Sequence, residues 1–142
     1  MKFVELFDSR DKKKRLSHIK NLIALGLADG YLDKDETDLI FRIGINAGLT
    51  PNDVQRLLER PESIQFYPPD SYRERIEQLY DMVMVMMVDG EFHENEIMLC
   101  KLTAKRLGFD HRIIDEMVFQ TIKMIADGIA TDIAIAKLLS LV

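Results

Sequence analysis

The sequence predicts an all-α fold: a single compact domain of about seven helices, built from two helix-turn-helix units related by a pseudo-twofold axis. Apolar residues recur at spacings of three and four along most of the chain, which is typical of helices with one buried face. Glycines follow these stretches where a left-handed residue would end a helix. A block of residues also repeats sixty positions later. A chain of 142 residues with 47% hydrophobic content can bury one sizeable core.

Start and stop patterns place the helix boundaries and divide the chain. Unit one covers 9–60, a connector covers 61–70, unit two covers 71–126 and a C-terminal helix follows. Thr50 is a good N-cap, and Pro51 suits the first position of a helix. The predicted helices are 9–29, 34–47, 51–60, 71–89, 94–107, 111–126 and 131–141.

Three pairs of residues have the spacing of a capping box: Asp33 with Glu36, Ser71 with Glu74, and His93 with Glu96. Histidine is a poor cap. Three prolines in and around the connector predict an extended segment without helix, anchored to the domain by Ile64, Phe66 and Tyr67. The run MVMVMMV, at 82–88, is predicted to be buried helix, with its methionines as core filler rather than metal ligands.

The internal repeat predicts that the two units are related. At a constant offset of sixty, the matching residues are Asp29 and Asp89, Gly30 and Gly90, Glu36 and Glu96, Leu39 and Leu99, and Gly48 and Gly108. Leu32 and Phe92 also occupy equivalent positions, directly after the acidic turns. Both side chains are predicted to point inward and tie their turns to the core.

The acidic turns resemble the second half of an EF-hand calcium loop. Asp29 takes position 5 of that loop, Gly30 position 6, Asp33 position 9 and Glu36 position 12. Positions 1 and 3 fall on leucines in the first turn and on apolar residues in the second. Because two oxygen ligands are missing from each loop, a genuine EF-hand is excluded.

Two hypotheses remain for the acids of these turns. Helix capping explains Asp33 and the two glutamates without any ion, but it does not explain Asp29 and Asp89, whose charge opposes the dipole at a helix C-terminus. Asp127-Gly128 repeats the turn without the distal glutamate, which favours a structural role. The acids therefore either shape the turns only, or form a weak or shared site for a divalent metal ion.

The segments LADGYLDKDE and VDGEFHENE resemble the acidic turns of the TerB-like tellurite-resistance family, over roughly residues 20–110. The resemblance implies a compact all-α fold of two related units, an accessory or stress-response role without catalysis, and an interaction with a protein partner. It also implies divalent-cation ligands: Asp29, Asp33, Glu36, Asp89 and Glu96. His93, in the second turn, is a sixth candidate ligand. His93 and Val88 depart from the family pattern, although a neutral histidine can bind zinc or nickel.

Composition and motifs exclude several classes of function. A net charge of −5 disfavours binding to nucleic acid or anionic membranes, and the longest apolar run is too short to cross a bilayer. Glu5 and Asp8 interrupt the first apolar residues, so no signal peptide is expected. The lone Cys100, expected to be buried, cannot form an internal disulfide. A reducing, cytoplasmic location is therefore expected.

No catalytic motif accompanies the acidic turns. The chain has no glycine-rich phosphate loop, no His-Glu-x-x-His helix and no nucleophile elbow. His18 is predicted on the polar edge of the first helix, and His111 at the start of another. The basic run 12–15 is either a solvated helix face or a docking patch. We expect a non-enzymatic TerB-like protein that binds a divalent cation weakly. The alternatives are an interaction scaffold with purely structural turns, and a metal-dependent hydrolase with an open coordination position.

Overall fold

A computed structural model describes residues 9–90 and 92–142, and every secondary-structure element within these residues is a helix. The all-α prediction is therefore confirmed. Glu5 and Asp8, on which the expectation about a signal peptide rests, lie outside the described residues. The helices are α1 (Arg10–Gly26), α2 (Lys34–Asn46), α3 (Pro51–Glu59), α4 (Tyr72–Met87), α5 (Glu94–Leu107), α6 (His111–Ala126) and α7 (Thr131–Leu139).

The helix ends agree with the predicted boundaries to within three residues. The largest differences are at α1, predicted to end at residue 29, and α4, predicted to end at residue 89. Both helices stop earlier because a tight turn precedes each glycine. The backbone N–H of Gly30 donates to the carbonyl of Leu27 at 2.9 Å, and that of Gly90 donates to Met87 at 3.0 Å. Both glycines have positive φ angles, +114° and +79°, as a left-handed helix stop requires.

The predicted caps are confirmed in unit one and only partly in unit two. Thr50 caps α3 in a full capping box, with Pro51 at the first helical position. Ser71 caps α4 by accepting a hydrogen bond from the backbone of Glu74. His93 precedes α5 but makes no side-chain capping bond, so the capping box predicted there was wrong.

Helices α1 and α4 pack against each other at the centre of the domain. Helix α1 also contacts α2, α3 and α5, while α4 also contacts α2, α5, α6 and α7. Each long helix therefore packs against the second helix of both units. This places the turn that follows α1 beside the turn that follows α4. The twofold relation between the units stays a prediction. None of the described helices combines the length and apolarity needed to span a bilayer.

The connector is anchored as predicted, but it is not free of helix. Pro61–Ser63 forms a single 3-10 turn, because proline fits the first position of a helical turn. Ile64 is fully buried, and its carbonyl accepts a hydrogen bond from Lys20 at 2.6 Å. Phe66 and Tyr67 are half-buried against the core.

The basic run of α1 holds neighbouring segments of the same chain. The Nζ of Lys14 lies 2.6 Å from Asp70 at the end of the connector, and that of Lys12 lies 3.5 Å from Asp53 of α3. The Nζ of Lys13 lies 5.7 Å from the centre of the Tyr67 ring. These contacts give most of the run a role within the chain itself. Neither predicted alternative, a solvated helix face or a docking patch, included that role.

Two predicted side-chain positions were wrong. His18 is buried, not on a polar edge, and its Nε2 lies 2.8 Å from Oδ2 of Asp81 on α4. Phe92 was predicted to point inward, but its side chain is 50% exposed. His111 does begin α6, and Cys100 is buried; burial raises the pKa of its thiol to about 12.

The outcome for Phe92 has a packing reason. Its counterpart Leu32 is half-buried against the core, directly beside Gly26. A Cβ atom on Gly26 would lie 2.3 Å from Cδ2 of Leu32, so Leu32 fits there only because residue 26 has no side chain. The residue sixty positions later is Met86, whose side chain is buried. We therefore attribute the exposure of Phe92 to the space that Met86 occupies.

Candidate metal centre

The first acidic turn connects α1 to α2 and uses its acids partly for capping. Asp33 accepts a hydrogen bond at Oδ1 from the backbone N–H of Glu36 at 2.8 Å. In return, the backbone N–H of Asp33 donates to Oε1 of Glu36 at 3.2 Å. This reciprocal pair is the predicted capping box, and it satisfies two N–H groups at the start of α2.

The second acidic turn connects α4 to α5 and leaves its histidine for other contacts. His93 has extended backbone geometry at the N-cap position, but its side chain does not cap α5. Its Nε2 atom lies 3.3 Å from Oδ2 of Asp29 and 3.8 Å from Oε1 of Glu96. The imidazole therefore faces one carboxylate from each turn.

The six predicted ligands form two sets, and each set contains one aspartate from the opposite turn. The sequence grouped Asp29 with Asp33 and Glu36, all from the first turn. In the structure, Asp29 joins the second turn, and Asp89 joins the first. The sets are Asp29, His93 and Glu96, and Asp33, Glu36 and Asp89; within each, one donor atom per residue lies within 4.8 Å of the others. A cation in either set would therefore hold the two turns together.

Each turn contributes one deeply buried glutamate. The side chain of Glu96 is 1% exposed, and Glu36 as a residue is 3% exposed. Burial, together with the charges of Asp33, Glu96 and Asp89, raises the pKa of Glu36 to about 8. Burial, together with the charges of Asp29 and Asp89, raises the pKa of Glu96 to about 7. Burial and the neighbouring acids thus disfavour the charged form of both glutamates.

Two carboxylate oxygens at this site lack a hydrogen bond. They are Oε2 of Glu96 and Oδ1 of Asp29, both buried and without a donor among the described residues. Most buried polar atoms in proteins have such a partner, so each exception needs an explanation. No amide at the start of α2 donates to Oδ1 of Asp29, so capping does not account for this buried oxygen.

The third Asp-Gly turn shows how such a turn looks without a cluster. Asp127 follows α6 and is exposed, and Gly128 has a φ angle of +73°. Among the described residues, Asp127 joins no group of donor atoms suited to a metal ion. The Asp-Gly step therefore serves to end a helix, and the clustering at the other two turns has a separate cause.

One contributor to the site was missed from the sequence. Gly26, in the last turn of α1, lies against the Glu36 side chain: a Cβ atom there would be 3.4 Å from Oε2 of Glu36. The available clue was a glycine inside a helical apolar pattern, which often marks a close packing contact.

The arrangement suits a divalent cation chemically. One set offers a nitrogen and two carboxylates, and the other offers three carboxylates. Comparisons with protein-family models, with curated proteins and with solved structures found no match to this chain.

Proposed function

We propose that this chain is a non-enzymatic accessory protein of the TerB-like type that binds a divalent cation between its two acidic turns. The observation that carries the proposal is the buried carboxylate of Glu96, whose Oε2 has no hydrogen-bond donor among the described residues. A buried ionised carboxylate without a partner is costly. A cation at this position would neutralise Glu96 and fill the vacant bonding capacity of Asp29.

The surroundings of Asp29 favour a bound cation over a purely structural role. Its charge lies at the end of α1, where the helix dipole disfavours it. Its Oδ1 atom accepts no hydrogen bond from the described residues, and its Oδ2 atom lies 3.3 Å from Nε2 of His93. Among the described residues, Asp29 and Glu96 share one nitrogen contact, to Nε2 of His93.

The resemblance to the TerB-like family agrees with this proposal, because it implies divalent-cation ligands at these same positions. It also implies a stress-response role with a protein partner. With few side-chain ligands in each set, we expect a calcium affinity no better than roughly 10⁻⁴ to 10⁻³ M. A lone buried Cys100 fits action in a reducing compartment.

Thermal melting of metal-stripped protein tests the proposal. Calcium, magnesium, manganese, zinc and nickel chlorides are added separately, at constant ionic strength. Binding to the folded state raises the melting temperature as the ion concentration increases. At an ion concentration of one hundred times Kd, the fold gains about 2.7 kcal/mol of stability. The Asp29→Asn variant should lose this shift. Metal-free, it should be at least as stable as the wild type, because a charge at the helix end is removed.

Asp127→Asn is the matched control, because it makes the same change in an Asp-Gly turn outside the cluster. It should keep the full metal-induced shift. If no divalent ion stabilises the wild type beyond a general salt effect, and Asp29→Asn is destabilised, the proposal is wrong.

That result would favour the interaction scaffold. Three large apolar side chains on the outer side of α5 and just before it, Phe92, Met98 and Leu102, are exposed and could contact a partner. In that case the acids only shape the turns.

A further inference from the structure

We infer that the set formed by Asp29, His93 and Glu96 selects a transition-metal ion, zinc, nickel or cobalt, over calcium and magnesium. The inference rests on the proposed function and names the class of ion. Imidazole nitrogen is a good ligand for zinc, copper and nickel, whereas calcium and magnesium favour oxygen ligands. His93 supplies the one nitrogen among the six candidate ligands, and it faces both carboxylates.

The separation of the donor atoms fits a small tetrahedral ion. Ligands placed 2.0–2.1 Å from zinc at tetrahedral angles lie about 3.3 Å apart. The Nε2 of His93 lies 3.3 Å from Oδ2 of Asp29 and 3.8 Å from Oε1 of Glu96. Both separations are within about half an ångström of the tetrahedral value. One donor atom from each of the three residues also lies within 4.8 Å of the other two.

The same set contains the side chain that most needs a ligand. Glu96 belongs to this set and its side chain is 1% exposed; its Oε1 atom faces His93, and its Oε2 atom lacks a hydrogen-bond donor among the described residues. His93 and Asp29 are partly exposed, with 33% and 22% of their side-chain surfaces accessible. An ion can thus enter from the solvent side, which leaves room for a water as a fourth ligand.

The all-carboxylate set differs because capping already uses its oxygens. Asp33 and Glu36 exchange hydrogen bonds with each other's backbone at the start of α2. His93 occupies the corresponding position of the second turn and makes no capping bond. The selectivity of the site therefore depends on His93.

Isothermal titration of metal-stripped protein with zinc chloride and calcium chloride tests the inference. The wild type should bind zinc more tightly than calcium. In His93→Asn, which replaces the imidazole by an uncharged amide that suits an N-cap position, zinc affinity should fall by at least the 10- to 100-fold that loss of an outer-shell partner costs. Calcium affinity should change little. His111→Asn is the control, because His111 is exposed and outside both sets.

Two measurements on the unaltered protein keep the test valid if His93→Asn fails to fold. Cobalt bound at three protein ligands and water should give the intense visible absorption of tetrahedral coordination. Zinc should also shift the ring proton resonances of His93, and calcium should not.

The outcomes separate this inference from the proposed function. Equal zinc affinity in the wild type and His93→Asn, or unshifted His93 resonances with zinc bound, overturns the inference and leaves divalent binding intact. If calcium binds as tightly as zinc, the inference is also wrong. If no divalent ion binds the wild type, both fail.

Discussion

The two acidic turns share an Asp-Gly step and a glutamate seven residues after the aspartate, but they begin the next helix differently. In the first turn, Asp33 closes a capping box with Glu36. In the second, His93 caps nothing and faces Asp29 and Glu96 instead. One backbone design thus permits two uses of the N-cap residue. A side chain that capping does not occupy can serve a ligand, at the expense of helix stability.

The largest expected effect concerns the buried glutamate that each turn contributes. Burial raises the pKa of Glu36 to about 8 and that of Glu96 to about 7, above the ordinary value of 4.5. The folded state therefore binds protons more tightly than the unfolded state. The resulting stability is complete below pH 4.5 and is lost as the pH rises through 7 and 8. Metal-free protein should lose on the order of 3–5 kcal/mol between pH 5.5 and pH 9.

Urea unfolding in the presence of a chelator, at a series of pH values, measures this loss. The two titrations are coupled, since each glutamate is affected by the charge cluster of the other turn, so the loss belongs to the pair. The Glu36→Gln and Glu96→Gln double variant should show a much flatter profile. An unchanged profile in that variant would assign the pH dependence to other groups.

The second comparison concerns the apolar residues that follow the two turns. Leu32 is half-buried beside Gly26, so Leu32→Ala should destabilise the fold by about 2 kcal/mol through lost packing. Phe92 is half-exposed, so Phe92→Ala should cost less than about 1 kcal/mol, although the removed side chain is larger. Denaturant midpoints of the two variants, measured at pH 6 without metal, give the difference. A larger loss for Phe92→Ala would contradict the exposed position of that ring.

The smallest effect distinguishes the two N-cap residues. Asp33→Ala removes a cap and should cost about 1 kcal/mol of stability without metal. His93 makes no capping bond, so His93→Ala should cause no loss of stability through capping of α5. Asp33→Asn is the control, because it keeps the cap and removes only the charge. The difference between Asp33→Ala and Asp33→Asn measures the cap alone. If the two variants are equally stable, the capping box does not contribute.

Much of the domain follows from local patterns in the sequence. The N-cap at Thr50, the capping box at Asp33 and the left-handed glycines each depend on hydrogen bonds across a few neighbouring residues. Such features are therefore predictable from short segments. The same local logic failed at His93, where the capping-box spacing is present but the side chain is used elsewhere.

By itself the sequence determined the helices, their ends, and the six side chains that carry the candidate site. Only the tertiary structure decided that Asp29 lies with Glu96 and Asp89 with Glu36. That exchange depends on how α1 and α4 pack side by side, which involves residues sixty positions apart. Packing also decided that Leu32 is half-buried and Phe92 is exposed: Leu32 lies beside Gly26, whereas the position equivalent to Gly26 in the other unit is the buried Met86. The apolar periodicity of one segment gives no information about the size of the side chains that pack against it from distant parts of the sequence.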